Sequence, residues 1–456
     1  MSLIPFTLSS FAEIFIRDNY CTVVHHQKGN VEIIHPSEAF ILSLLDGALT
    51  EEDLALVFSG TYGMPLDAAA SITSVVIRKL GHYLVRSHGA TECCRYDPLT
   101  FLFPGFEKQP NLDNPLPKPQ MLGLALTTGC NFRCRYCSLG VNTAAPRNMD
   151  KDLALRIINE AAKLGVVHAS FGGWEPLLHP DISEIVSAIT SRGMALLFST
   201  NGSLLSGQMV DGLVKAGLKG IQVSIDAPTA EMHHYITRSD NTFDKVISGI
   251  ERLKARGVWI KTRSVITSLN LESVSSLIDM LADMDADQIT IGPQHSGSCH
   301  VRCENSADKL DPTGLESLQK MVTEKAAQYP DREIIYGDPE KPWYGPDDVV
   351  FCSHPATGMM VAANGDVQPC EFIHDKYLLS GNVRDSALEE IWLGPDHRRF
   401  LEKASNPELV DAECKRCERL QDCHTGCFNL SKIERGDYFA KDPRCPGPDR
   451  MKKTNA

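Results

Sequence analysis

The placement of the cysteines constrains this chain more than any other feature. Ten of its 15 cysteines fall into two constellations. Cys130, Cys134 and Cys137 are spaced C-x3-C-x2-C within TTGCNFRCRYC. Cys352, Cys370, Cys414, Cys417, Cys423, Cys427 and Cys445 form the second, and Cys21, Cys93, Cys94, Cys299 and Cys303 stand apart. The opening MSLIPFTLSSFAEIF lacks the basic flank and small-residue cleavage site of a secretory signal. No apolar run approaches the ~20 residues that span a bilayer. These features predict a cytoplasmic protein, and in a reduced compartment clustered cysteines ligate metal rather than form disulfides. The net charge of −13, with no basic tract beyond Lys452–Lys453, argues against a nucleic-acid face.

A chain of 456 residues exceeds one compact core, so several domains are expected. Residues 1–87 read as a small α/β module. The segment DNYCTVVHHQKGNVEIIH alternates like a hairpin turning at Lys28-Gly29-Asn30. Three helical stretches follow: one capped by Ser37, one opened by a Thr50–Asp53 capping box, and one with Ile72, Val75, Val76 and Leu80 on a single face. Residues 88–120 are Pro-rich and linker-like, although Phe101, Leu102, Phe103 and Phe106 imply that the stretch lies against something. From 121 to 295 strands alternate with amphipathic helices. The expected strands are 123–128, 167–172, 195–200, 220–225, 260–267 and 287–292. Six β/α units in series imply a parallel sheet covered by helices, either an open twisted sheet or a partial barrel, with ligands at the carboxyl ends of the strands. Residues 296–351 read as an irregular bridge, and 352–448 as a Cys-rich domain in which metal stands in for a hydrophobic core.

Three thiolates on one short loop can hold three corners of a cubane iron–sulfur cluster and leave the fourth iron open. With this loop placed directly after the first strand, residues 121–295 resemble the radical S-adenosylmethionine (SAM) superfamily. The resemblance implies a partial (β/α)6 TIM-like barrel, a 4Fe–4S cluster on Cys130, Cys134 and Cys137, and SAM chelating the open iron. It further implies that Tyr136 packs near the adenine. SFGGWEPLLHPD resembles the family's GGEP segment and gives Gly173 and Glu175 to the methionyl amine, with Trp174 where a second glycine is expected. STNG (199–202) and VSIDAP (223–228) give Ser199 and Ser224 to the ribose, and HHYITR gives Arg238 to the SAM carboxylate.

The second constellation resembles the SPASM domain of peptide-modifying radical SAM enzymes. By that resemblance it holds two auxiliary 4Fe–4S clusters, three clusters in all: one on Cys352, Cys370 and Cys427, the other on Cys414, Cys417, Cys423 and Cys445. Seven cysteines are one short of eight, so the first auxiliary cluster either has an open iron or takes Cys299 or Cys303. Zinc is the competing reading of both constellations. It takes four ligands, whereas the first loop supplies three, and C-x5-C-x3-C is a poor zinc spacing.

Residues 1–87 resemble the winged-helix-like, PqqD-like leader-recognition element of peptide natural-product pathways, which implies that a precursor leader adds as a strand beside the 22–35 hairpin and the 66–85 helix. Together these readings describe a maturase that abstracts hydrogen from a ribosomally made precursor peptide and forms a thioether or a C–C or C–O crosslink, with a flavodoxin- or ferredoxin-type electron donor. The alternatives are a peptide epimerase using Cys299 or Cys303 as catalytic hydrogen donor, a sulfatase-maturase-like formylglycine-forming enzyme, and a non-catalytic iron–sulfur electron carrier.

Overall fold

The computed structural model describes residues 6–17, 20–45, 47–86, 95–102, 118–137, 139, 146–294, 308–337, 354–370, 378–398, 402, 406, 408–423 and 425–448. Cys93, Cys94, Cys299, Cys303 and Cys352 lie outside them. The chain forms two units, Met1–Asn111 and Leu112–Ala456. No described helix is long and apolar enough to cross a membrane.

In the first unit β1 (Phe6–Leu8) pairs antiparallel with β5 (Leu84–Arg86), while β2 (Ala12–Ile16), β3 (Cys21–His25) and β4 (Val31–Ile34) form an antiparallel sheet in the order β2-β3-β4. The expected hairpin is β3–β4, and Gly29 at φ +66° provides its turn. Helices α1 (Pro36–Ser43), α2 (Glu51–Tyr62) and α3 (Leu66–Lys79) close a core around Phe40, Ile41, Leu54, Phe58, Leu80 and Tyr83. The cap of α1 is His35, not Ser37: its Nδ1 accepts from the Ser37 N–H, and the Glu38 carboxylate accepts from the His35 N–H at 2.8 Å. Pro36 at the first helical position displaces the start by two residues. Thr50 and Asp53 cap α2 reciprocally, as expected. On α3 the buried stripe is Ala69, Thr73, Val76 and Ile77, so Ile72 and Val75 face solvent at 37% and 52% exposure. The helix ends at Lys79, short of the expected 85. Of the Pro-rich stretch, residues 95–102 pack onto this unit. Phe101 is buried, and the Tyr96 hydroxyl accepts from the Ile14 N–H at 2.9 Å.

In the second unit the six expected strands appear as β6 (Met121–Leu124), β7 (His168–Phe171), a third strand in two pieces, β10 (Gly220–Ser224), β11 (Trp259–Ile266) and β12 (Gln288–Pro293). The pieces are β8 (Ala195–Leu196), which pairs with β7, and β9 (Ser199–Thr200), which pairs with β10. All these pairings are parallel. The break at Leu197–Phe198 lets one strand serve two sheets, which bends the array into the arc of a partial barrel. Within the expected irregular bridge, α10 (Pro312–Gln328) and β13 (Glu333–Tyr336) add a further parallel strand beside β12. On the opposite edge β14 (Gly358–Val361) pairs parallel with β6 and continues into an antiparallel meander with β15 (Asp366–Gln368) and β16 (Gly381–Asn382). Gly123 makes that seam possible, because a Cβ there would stand 2.2 Å from the Met360 Sδ.

The outer helices are amphipathic for local reasons. In α4 (Lys151–Leu164), Leu153, Ala154, Ile157, Ile158 and Ala161 share the buried face. Each fully buried Ile or Leu contributes about 1.5–3 kcal/mol. Asp150 caps the first turn through the Leu153 N–H, and Gly165 at φ +85° ends the helix. Between β6 and β12 the chain also forms α5 (Ile182–Thr190), α6 (Gly207–Lys215), α7 (Ala230–Thr237), α8 (Phe243–Lys254) and α9 (Val274–Asp283).

Candidate active site

The loop after β6 carries Cys130, Cys134 and Cys137 to the carboxyl ends of the strands. It is pinned from two sides. The Arg133 and Arg135 N–H groups donate to the Thr237 and Ile236 carbonyls at the end of α7, and the Glu175 N–H after β7 donates to the Gly129 carbonyl. A cleft of ≈ 130 Å³, open to solvent on one side, forms there. Cys130, Cys134, Tyr136, Gly173, Glu175, Ser199 and Ser224 line it, which brings together seven residues singled out in the sequence. Burial pushes the Cys130 thiol up to about 11 and the Cys134 thiol well above its ordinary value. The nearby Glu175 carboxylate adds to the Cys130 shift and the Asp226 carboxylate to that of Cys134. Thiols that resist ionisation unaided need a cation to become thiolates, which is the chemistry of a metal-ligating set.

Glu175 is almost fully buried, at 1% exposure. Its Oε1 accepts from the Leu177 N–H at 3.0 Å and the Thr200 hydroxyl at 2.8 Å, and its Oε2 accepts from the Asn201 N–H at 2.7 Å. Burial pushes the carboxyl up to about 7 against these three hydrogen bonds. Gly173 sits at φ +82°, a left-handed turn that brings the backbone to the cleft. The Ser199 hydroxyl is held by the Gln222 amide at 2.6 Å. Arg238 is exposed, in left-handed conformation (φ +48°) at the end of α7, next to Thr237 on the cleft wall; it does not itself line the cleft.

Phe132, Thr200, Asn201, Asp226 and Thr237 also line the cleft without having been singled out in the sequence, and two of them carry its polar network. Asp226, 2% exposed, accepts from the Tyr136 hydroxyl at 2.6 Å and from the Val265 N–H at 2.8 Å. Burial raises it to about 6, against those hydrogen bonds. Asn201 donates through Nδ2 to Asn131 Oδ1 at 2.8 Å and lies 4.0 Å from the Cys130 sulfur, tying the third strand to the cysteine loop. Both stand inside motifs that were recognised, VSIDAP and STNG.

The second constellation assembles in the C-terminal part of the unit. Cys414, Cys417, Cys423 and Cys445 wall one cavity, and burial with mutual repulsion pushes the Cys414 thiol up to about 12. Cys370 packs against Phe428 and Tyr438. The Cys427 N–H donates to Asp442, which Arg444 grips through Nε and Nη2. Among the described residues no three His, Cys, Asp or Glu side chains converge as on a single ion. Thiols are the donors that iron–sulfur clusters take, so both cysteine sets fit such clusters by the chemistry of their ligands.

Residues 124–296 match the model of the radical SAM superfamily, and residues 352–418 that of SPASM, an iron–sulfur cluster-binding domain. An AdoMet-dependent heme synthase of Methanosarcina barkeri is 26% identical over 349 residues, covering 72% of this chain and 96% of that protein. A PqqA peptide cyclase of Ruegeria pomeroyi is 27% identical over 347 residues, 74% of this chain and 90% of that protein. In fold, the crystal structure of Streptococcus suis SuiB bound to precursor peptide SuiA matches with a TM-score of 0.64 at 16% identity, covering 97% of this chain and 100% of that one. The first match spans the cysteine loop and its cleft, and the second reaches Cys414 and Cys417 of the four-cysteine cavity, so this chain is an enzyme that carries a radical SAM domain followed by a SPASM iron–sulfur domain.

Proposed function

We propose that the enzyme matures a ribosomally made precursor peptide, holding its leader through the N-terminal unit and abstracting hydrogen from its core to form a thioether or a C–C or C–O crosslink. The observation that carries this reading is the likeness to peptide-bound SuiB over 97% of the chain, N-terminal unit included. The heme synthase and the peptide cyclase match at 26% and 27% identity, so the catalytic core alone does not choose between their substrates. A PqqD-like, winged-helix role for residues 1–87 would favour the peptide, and two features of the N-terminal unit support it. Here β4 is an edge strand, its Glu32 pairs with His82 just beyond α3 at 2.8 Å, and α3 exposes Ile72 and Val75. An extended leader would add beside β4 and cover those two side chains.

Cys130, Cys134 and Cys137 would hold the SAM-binding 4Fe–4S cluster, which, reduced by an external one-electron donor, would supply the radical chemistry with SAM bound. Glu175 and the Gly173 backbone orient the methionyl amine, Ser199 and Ser224 the ribose, and Arg238 the carboxylate. Tyr136, fixed by Asp226, forms the adenine side. Cys352, Cys370 and Cys427 hold one auxiliary cluster; Cys414, Cys417, Cys423 and Cys445 hold the second, giving three. A flavodoxin- or ferredoxin-type protein supplies electrons in the cytoplasm.

Deleting residues 1–87 tests the reading. Modification of the precursor should be lost while slow SAM cleavage persists, because tethering supplies ~10²–10⁴ of avidity without new contacts at the chemistry. Ile33→Pro, which removes a backbone donor from β4, should mimic the deletion. A truncated enzyme that modifies precursor at the wild-type rate, followed by mass spectrometry, would refute it.

A further inference from the structure

Thr425 lies between Cys423 and Cys427, lines the four-cysteine cavity and is 2% exposed. Its hydroxyl has no hydrogen-bond partner among the described residues. Buried hydroxyls are nearly always paired, so this one calls for an explanation. Its backbone is also unusual: φ is +71°, a left-handed conformation that β-branched residues rarely adopt. The conformation is held from outside. The Thr425 carbonyl accepts from the Asp442 N–H at 3.1 Å, and the Asp442 carbonyl accepts from the Cys445 N–H at 2.9 Å, so the turn is stitched to the last cysteine of the set. Glycine would meet the backbone requirement without strain. A threonine here therefore keeps a hydroxyl in a strained, dry position whose wall includes four thiols.

We infer that the Thr425 hydroxyl donates a hydrogen bond to a sulfur of the cluster held by Cys414, Cys417, Cys423 and Cys445, and so sets that cluster's reduction potential. The inference rests on the assignment of those four cysteines to one 4Fe–4S cluster. A donor aimed at sulfur stabilises the extra negative charge of the reduced state, and hydrogen bonds to sulfur are among the means by which proteins tune such potentials. Thr425 is a positioning and tuning residue, with no contact to substrate required.

The test is a potentiometric titration of the anaerobically reconstituted full chain followed by electron paramagnetic resonance. The relevant signal is the one that disappears in Cys414→Ala/Cys417→Ala. Thr425→Val keeps the β-branch and the strain but removes the hydroxyl. It should make the midpoint more negative, by up to about the 59 mV that corresponds to a tenfold change in a one-electron equilibrium. Thr425→Ser should keep the wild-type potential. Thr425→Gly relieves the strain and loses the hydroxyl, so it should shift the potential as valine does while the protein remains at least as stable; it also serves if valine folds poorly. An exchangeable-proton coupling to the cluster should be present in the wild type and Thr425→Ser and absent in the other two. If Cys414→Ala/Cys417→Ala loses neither iron nor signal, the cluster assignment fails. If the cluster is present and Thr425→Val and Thr425→Gly titrate at the wild-type potential, the inference is overturned.

Discussion

Glu175 offers the sharpest separation of a ligand-binding role from a structural one. Its carboxylate bridges the loop after β7 and the end of β9 through three donors, at 2.7–3.0 Å. Glu175→Ala leaves the amides of Leu177 and Asn201 without acceptors in a site that is 1% exposed at the wild-type side chain. The Thr200 hydroxyl can turn, so the cost falls on the two amides, at about 1–3 kcal/mol each. Opening of these amides should therefore become roughly 5- to 150-fold easier, at a tenfold change per 1.4 kcal/mol. Glu175→Gln discriminates further. Its amide oxygen can keep the Leu177 and Thr200 bonds at Oε1, while its NH2 meets the Asn201 N–H, donor against donor. Hydrogen exchange followed by mass spectrometry should thus show both segments deprotected in the alanine variant but only the Asn201 segment in the glutamine variant. SAM affinity should fall in both, by roughly 1.5–3 kcal/mol for one charged hydrogen bond. Wild-type protection at both amides in Glu175→Ala would refute the argument that this side chain braces the site.

Arg238→Ala should weaken SAM binding by roughly 1.5–3 kcal/mol, read by calorimetry, and leave the iron content unchanged. Reconstituted enzyme should hold about twelve irons, and Cys130→Ala/Cys134→Ala/Cys137→Ala about four fewer, measured by metal analysis. Stoichiometric zinc in place of iron after anaerobic purification would contradict both cluster assignments. His233 is fully buried with Nδ1 unpartnered among the described residues, and burial lowers it to about 4, below its unfolded value of 6.5. The unfolded chain then binds the extra proton first, so this contribution is complete above pH 6.5 and is lost as pH falls toward 4. His233→Gln should accordingly gain about 2–3 kcal/mol relative to wild type over that window, by denaturant unfolding.

The parts of this molecule that were legible in sequence are those in which local chemistry dictates residue type. A cluster loop must be cysteine at short spacing, and buried parallel strands must be apolar runs. Four of the six expected strands accordingly fall within about one residue of their predicted ends, while the first stops at Leu124, four residues before its predicted end, where the chain turns into the cysteine loop. The third, ALLFST, reads as one strand, because the break at Leu197–Phe198 follows from the curvature of its neighbours rather than from its own pattern. β13 and β14 were missed for a related reason: they are short, and their partners β12 and β6 lie 45 and 237 positions away in register. On α3 the apolar pattern extends over Ile72 and Val75, yet only the Val76 side is covered. Asp226 and Asn201 sit within recognisable motifs, yet their importance lies in partners, Tyr136 and Asn131, that approach only once the loops fold. His35 as a cap is likewise a matter of geometry, since histidine is not among the residue types that usually announce a helix start.

The most direct measurement is 5′-deoxyadenosine formation by the anaerobically reconstituted full chain, given SAM, a low-potential reductant and a candidate precursor peptide. The account predicts formation that the peptide accelerates, accompanied by loss of two hydrogens from that peptide, with neither seen in Cys130→Ala/Cys134→Ala/Cys137→Ala. An iron-replete wild type that forms no 5′-deoxyadenosine, or a triple variant that forms as much as wild type, would contradict it.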